Sequence, residues 1–334
     1  MIYDCFSFFN ELDLLEIRMN VLKDIVDRFV LVEARQTHTG KPKPLYYEAN
    51  KTRYAKFHDR IIHVVIDEFP KEYDAWRNEN CQRNAIMRGL TAAKPDDKIL
   101  ISDLDEIPDP EIVRKLAGKR GVWRFNHVSY GFYLNMMNLR CWNMCGTQML
   151  SFRDLSTGFD GCNASYTEFV PKDINEGTTV TKIRRCRFPR EKGGEKLVKK
   201  AGWHFTCLGG AEAILMKMRA VAPHHDFNPD DPALTVEVIR GLLAKGMGPA
   251  LKMNCFAVPL DDTFPKYIIE NRDKYKHLIF PVTKEYMKSV RWMRLFRMVQ
   301  GRMIQFFEWV IPSRLHYVLH VVRMAMLNVN KKGK

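Results

Sequence analysis

Apolar and polar residues alternate between two periods along the first part of the chain. Ile2–Phe8 is a short apolar run, read as a strand. Leu12, Leu15, Met19 and Leu22 then recur at helical spacing, which predicts a helix from about Glu11 to Lys23 capped by Asn10. Arg28–Glu33 and Ile61–Ile66 are again continuous apolar runs, predicted as buried strands, with a loop at Thr39–Pro44 between them. Glu72–Leu90 reads as a helix and Ile99–Ser102 as a fourth strand. Strands alternating with helices in this way predict an α/β protein whose central sheet is mostly parallel.

Beyond Pro110 the pattern changes. Gly121–Phe125, Val128–Met136, Met144–Phe152 and Thr179–Cys186 read as strands without regular helices between them. Ala201–Cys207 is a further apolar strand, followed by a break at Gly209-Gly210 and a helix over about Ala211–Ala220. This half is expected to complete a mixed sheet and build an acceptor cleft. Its aromatic residues, Trp123, Tyr130, Phe132, Tyr133, Trp142, Tyr166 and Trp203, are expected mainly in the core.

Candidate chemistry concentrates at the end of the fourth strand. Lys98–Pro110 reads KILISDLDEIPDP: an apolar run delivers Asp103, Asp105 and Glu106, and Pro108 and Pro110 are expected to stop regular structure. In open α/β sheets ligands bind outside the carboxyl ends of strands. In an extended segment residues two apart face the same way, so Asp103 and Asp105 can share one cation. Magnesium and manganese take oxygen ligands of this kind. A D-x-D pair is a weak signal alone, and a solvated acidic turn is the competing reading.

No G-x-G-x-x-G or Walker loop occurs, so a dinucleotide fold or P-loop enzyme is not expected. The eight cysteines are scattered without a C-x-x-C pair, which points to reduced thiols rather than disulfides or zinc. The N-terminal stretch has neither a basic leader nor a long apolar run, so a cytoplasmic protein without an anchor is expected. The net charge of +14 is concentrated at the other end: residues 271–334 hold 14 Lys/Arg against 3 Asp/Glu, or +11. At 100° per residue, Val290–Val310 separates Trp292, Leu295, Phe296, Val299, Met303, Phe306, Phe307 and Val310 from Arg291, Arg294, Arg297 and Arg302. A basic amphipathic tail of this kind is expected to dock on an anionic membrane surface, peripherally and on the inner face, and the alternative is that its apolar face packs on the catalytic domain or makes a dimer. A nucleic-acid-binding role is not expected, because the charge belongs to this tail and no nucleic-acid motif accompanies it.

The segments FNELDLLEIRMNVLKDIVDRFVLVEA, TGKPKPL, DDKILISDLDEIPDP, YGFYLN and AGWHF, followed by a helix containing Glu212, resemble glycosyltransferase family 17 in family order over about residues 2 to 245. This is the family of the β-1,4-mannosyl-glycoprotein N-acetylglucosaminyltransferases. The resemblance implies a GT-A-like nucleotide-sugar-binding fold, a UDP-sugar donor, a divalent metal (Mn or Mg) and inversion at the anomeric carbon. The expected organisation is a catalytic domain over 1–270, with a nucleotide-binding half over 1–110 and an acceptor half over 111–270, and a basic tail over 271–334. The expected acceptor is a glycan or glycolipid. A nucleotidyltransferase on a similar sheet is the alternative.

The candidate residues take roles from their chemistry and position together with that resemblance. Asp103 and Asp105 would hold the metal and the donor diphosphate, and His204 would complete the metal shell. Glu33 would accept hydrogen bonds from the uridine or ribose, Arg83 would offset the diphosphate charge, and Asn84 would read the base. An inverting transfer needs a general base. Glu212 is favoured over Asp154, Asp160, Glu168 and Asp226, because a similar Glu follows the GWH motif in the family. Structural alternatives stand beside each role: a strand-end carboxylate, a solvated helix face, a core histidine and a first-turn helix carboxylate.

Overall fold

A computed structural model describes residues 1–142, 146–156, 195–221, 232, 234–244, 255–289 and 291. The strand expected at Thr179–Cys186, the carboxylates Asp160, Glu168 and Asp226, and nearly all of the amphipathic segment lie outside the described residues. The chain divides into two compact units, Met1–Pro281 and Val282–Lys334.

Among the described residues the first unit is built on two sheets. The larger contains β1 (Ile2–Phe8), β2 (Arg28–Ala34), β3 (Ile61–Ile66), β4 (Lys98–Asp103), β6 (Val122–Phe125), β9 (Gln148–Ser151) and β10 (Glu195–Val198), in the order β10-β6-β9-β4-β1-β2-β3. The pairs β1/β2, β1/β4, β2/β3 and β6/β10 are parallel, while β9 runs antiparallel to both β4 and β6. The expected mixed, mostly parallel α/β sheet is therefore what the chain forms. Buried apolar residues of β1–β4 supply its core, among them Val30, Val32, Ile99 and Ile101. Such strands lack an exposed polar face, as parallel strands covered on both sides require.

The second sheet has the order β12-β8-β7-β11-β5 and contains β5 (Glu106–Pro108), β7 (His127–Gly131), β8 (Met136–Trp142), β11 (Gly202–Thr206) and β12 (Cys255–Ala257). β4 ends at Asp103 and β5 begins at Glu106, so the acidic turn is the joint between the sheets. Gly202 lets β11 approach β5. Its φ is +151°, and a Cβ there would meet the Ile107 carbonyl oxygen at 2.2 Å.

The helices used below are α1 (Leu12–Leu22), α2 (Tyr46–Asn50), α3 (Ala75–Asn84), α4 (Pro110–Ala117), α5 (Phe152–Ser156), α6 (Gly210–Ala220), α7 (Val236–Ala244) and α8 (Lys266–Glu270). Several differ from the pattern-based expectation for physical reasons. α3 starts at Ala75 rather than Glu72, because the Asp74 side chain accepts from Arg77 N at 2.8 Å and caps it. Val128–Met136 is two strands rather than one, since Phe132 turns the backbone at φ +73°. Pro108 and Pro110 do not stop regular structure. Pro108 closes β5, and Pro110 opens α4 at its first turn, where the missing N–H costs nothing, behind an Asp109 cap. Among the described residues Cys5, Cys81, Cys207 and Cys255 are free thiols, and no helix is long and apolar enough to cross a membrane.

Candidate active site

Parallel pairing brings the carboxyl ends of β1, β2 and β4 to one edge, with Ser7 beside Asp103 and Phe8 beside Glu33. The acidic turn stands at that edge. Asp103 is partly exposed, at 37%, and its Oδ1 accepts from Arg83 Nη2 of α3 at 3.1 Å. Arg83 also pairs with Glu79 one helical turn earlier. The Asp103 amide donates to Glu106 Oε2 at 2.9 Å, and Glu106 is fully buried.

Asp105 is held more deeply. Its Oδ2 accepts from Lys217 Nζ of α6 at 3.1 Å, and its Oδ1 lies 3.5 Å from His204 Nε2. His204 is in β11 directly opposite Glu106 of β5, which explains why a strand near residue 204 meets a turn near residue 105. Burial alone would raise the Asp105 pKa, but Lys217 and then His204 outweigh it and keep the carboxyl ionised far below its usual range. Lys217 in turn is held well above the ordinary lysine value: burial opposes the charge, and Asp105 and Glu11 more than compensate. Glu11 Oε1 is 2.9 Å from the same ammonium.

Glu33 is fully buried, accepts from Tyr47 N at 3.2 Å, and lies 3.2 Å from His63 and 3.5 Å from Lys43. β1 stands between its strand and that of Asp103. These partners tie α2, the loop before it and β3 to the end of β2. Asn84 closes α3, next to Arg83. Glu212, in the first turn of α6, is 66% exposed and pairs with Arg240 of α7 at 2.6 Å. Asp154 Oδ2 accepts from Ser151 Oγ at 2.6 Å at the start of α5. The structure thus brings Asp103, Asp105, Arg83 and His204 to one place, buries Glu106 of the same acidic turn beneath Asp103, and adds Lys217 and Glu11, which the sequence reading did not single out.

The two carboxylates are oxygen ligands of the kind hard divalent ions take, and such ions often bind through one or two carboxylates plus substrate phosphates. Here each is paired with a cationic side chain, Asp103 with Arg83 and Asp105 with Lys217. Among the described residues no group of three or more His, Cys, Asp and Glu side chains is placed to hold a metal, so donor phosphate or water would have to supply the remaining ligands.

Comparison with known proteins agrees with the resemblance seen in the sequence. Residues 1–141 match the model of glycosyltransferase family 17, a span that contains the acidic turn, Glu33, Arg83 and Asn84. Human β-1,4-mannosyl-glycoprotein 4-β-N-acetylglucosaminyltransferase is 26% identical over 298 residues, which cover 81% of this chain and 53% of the human protein. The chain thus spans about half the length of the curated relatives it matches. Among solved structures, a nucleotidyl transferase from Methanothermobacter aligns at 15% identity with a TM-score of 0.25, covering 46% of this chain and 74% of that one. The glucosyl-3-phosphoglycerate synthase of Mycobacterium tuberculosis, solved with Mn²⁺, UDP-glucose and glycerol 3-phosphate, aligns at 12% identity with a TM-score of 0.29, covering 80% and 91%.

Proposed function

We propose that this protein is a metal-dependent, inverting glycosyltransferase that moves a sugar, N-acetylglucosamine, from a UDP-sugar to a hydroxyl of a glycan or glycolipid. The observation that carries this reading is the acidic turn itself: two carboxylates at the carboxyl edge of a mostly parallel sheet, within the residues that match family 17. The similarity of the chain to N-acetylglucosaminyltransferases supports the sugar.

Asp103 and Asp105 would hold a manganese or magnesium ion, which supplies charge stabilisation for the departing diphosphate. Arg83 adds a fixed positive charge beside Asp103, and Lys217 and His204 keep Asp105 ionised and oriented. Glu212 is assigned the general base. Its exposed carboxylate takes the proton of the acceptor hydroxyl as the acceptor oxygen bonds to the anomeric carbon and the bond to the phosphate oxygen breaks, releasing UDP. The C-terminal basic segment is assigned to an anionic membrane surface that presents the acceptor.

The test is a donor screen of the purified full chain with UDP-sugars, with and without manganese. Metal-dependent release of UDP from UDP-N-acetylglucosamine, increased by a glycan acceptor, is expected. Pyrophosphate release from a nucleoside triphosphate in its place would establish a nucleotidyltransferase instead.

A further inference from the structure

Arg18 of α1 has a side chain with no exposed surface, and so does its counter-ion Asp4 in the middle of β1. The guanidinium takes the carboxylate with both edges, Nε to Oδ2 at 2.8 Å and Nη2 to Oδ1 at 2.6 Å. Nη2 also donates to Ser102 Oγ at 2.6 Å. The remaining nitrogen, Nη1, faces the acidic turn and lies 3.0 Å from the Asp103 carbonyl oxygen, 3.0 Å from that of Leu104 and 2.8 Å from that of Glu106. The one intervening carbonyl, that of Asp105, accepts from Phe205 N in β11 at 2.8 Å. The Glu106 carbonyl also accepts from Thr147 Oγ1 at 3.2 Å. Every main-chain carbonyl from 103 to 106 thus has a donor, and the two N–H groups of Arg18 Nη1 serve three of them, one N–H being shared.

We propose that Arg18 is the positioning residue for the acidic turn: by gathering these three carbonyls it fixes the separation and orientation of Asp103 and Asp105 and so their joint affinity for a divalent cation. The inference rests on the function proposed above for those carboxylates. Buried carbonyls require partners, and Leu104 and Asp105, between the end of β4 and the start of β5, have no ladder of their own to supply them. Arginine fits because its planar fork presents five N–H donors in fixed directions, whereas lysine offers three from a single point and cannot span Asp4, Ser102 and the turn together. A buried ion pair is weak evidence for stability, since removing two charges from water offsets much of their attraction. What this one supplies is a single geometry for the turn.

The test uses the full chain and two variants, Arg18→Lys and Ser102→Ala. The second removes one acceptor of the guanidinium without changing a charge. Manganese binding is followed by the electron paramagnetic resonance of free Mn²⁺ in the presence of UDP, and amide hydrogen exchange is read at Asp103 and Phe205. We expect the half-saturating Mn²⁺ concentration to rise at least tenfold in Arg18→Lys and severalfold in Ser102→Ala, with faster exchange at both amides and an unchanged circular dichroism spectrum. If Arg18→Lys does not fold, Ser102→Ala decides. A folded variant with wild-type Mn²⁺ affinity and exchange overturns the proposal, as does a wild-type protein that takes up no Mn²⁺ with UDP. Sugar transfer by the wild type separates the two readings. Tight Mn²⁺ binding that depends on Arg18, without transfer from any UDP-sugar, leaves Arg18 in its role and removes the glycosyltransferase assignment.

Discussion

Lys217 Nζ lies 3.1 Å from Asp105 Oδ2 and 2.9 Å from Glu11 Oε1, so one ammonium bridges two carboxylates that follow the neighbouring strands β4 and β1. Glu11 precedes α1, Asp105 follows β4, and Lys217 is on α6. Their meeting fastens the sheet edge to the helix after β11. Removing the cation leaves two carboxylates facing each other in a mostly buried place. Breaking one member of a buried pair costs about 3–5 kcal/mol. Lys217 is 22% exposed, so solvent screens part of that and the low end applies. Lys217→Met should lower the thermal midpoint by several degrees, and added MnCl₂ should restore more of it than in the wild type. An unchanged midpoint would show that the pair contributes nothing.

Asp103→Asn and Asp105→Asn should each abolish sugar transfer and donor hydrolysis. EDTA should do the same reversibly. Asp103 is the cleaner test, because it is the more exposed of the two and Arg83 retains Glu79 as a partner. Asp105→Asn also releases Lys217 to Glu11 alone, so its melting curve should be measured alongside its activity. Full activity in either folded variant removes the acidic turn from the site.

Glu212→Gln should lower turnover while leaving donor affinity in place, because a general base acts on the acceptor in the transition state. The expected loss is roughly 100- to 10,000-fold. The ion pair with Arg240 is exposed on both sides, so its loss should leave stability nearly unchanged. Normal turnover of Glu212→Gln together with a dead Asp154→Asn would move the base to the segment after β9.

Much of this architecture is legible in the sequence, because parallel strands buried on both faces appear as continuous apolar runs. Ile2–Phe8 and Ile61–Ile66 are strands with the bounds their composition suggests. The acidic turn is legible for the same reason, since the run before it ends in carboxylates. Arg18 carries two signals in the sequence. It falls on the same helical stripe as Leu15 and Leu22, three and four residues away, and all three are fully buried. Asp4 interrupts an otherwise apolar strand, where a charge requires a partner. Lys217 had no local signal. It follows Glu212 on an ordinary amphipathic helix, and its partner lies 112 residues earlier in the chain. Sheet pairing between β5 and β11 is what brings His204 and the start of α6 to the turn.

The basic C-terminal segment gives a prediction that rests on sequence alone. With four arginines opposite an apolar face in Val290–Val310, and about 1 kcal/mol for each basic residue near an anionic leaflet, binding should be stable but salt-sensitive. The full chain should sediment with anionic liposomes at low salt and be released as salt is raised. A chain ending at Pro281 should remain in the supernatant and still act on a soluble acceptor. A full chain that ignores anionic vesicles overturns the membrane assignment.

A last prediction concerns acid. Asp13 and Glu16 project from α1 toward the segment after α8. Asp13 Oδ2 is 2.8 Å from His277 Nε2, Glu16 pairs with Lys274, and Arg53 pairs with both carboxylates. Tyr267 Oη lies 3.5 Å from Glu16 Oε1, so four side chains from two other parts of the chain converge on one helix face. Burial alone would raise both carboxyl pKa values. Hydrogen bonds from Arg53 and His277 to Asp13, and from Lys274 and Arg53 to Glu16, outweigh it and hold both below their ordinary range. A carboxyl depressed in the folded state contributes stability that is fully present above its unfolded pKa, roughly 4, and is lost as pH falls through the folded value. The thermal midpoint should therefore be flat from about pH 7 to 5 and fall below roughly pH 4 as this cluster is protonated. Asp13→Asn with Glu16→Gln should lower the midpoint at neutral pH and flatten its acid dependence. In the wild type, hydrogen exchange over 266–278 should accelerate on acidification before the core of β1–β4 does, because the cluster fastens that segment and leaves the sheet untouched. A double variant that keeps the wild-type acid slope would place the acid sensitivity elsewhere, with Asp105 and its lysine the next pair to test.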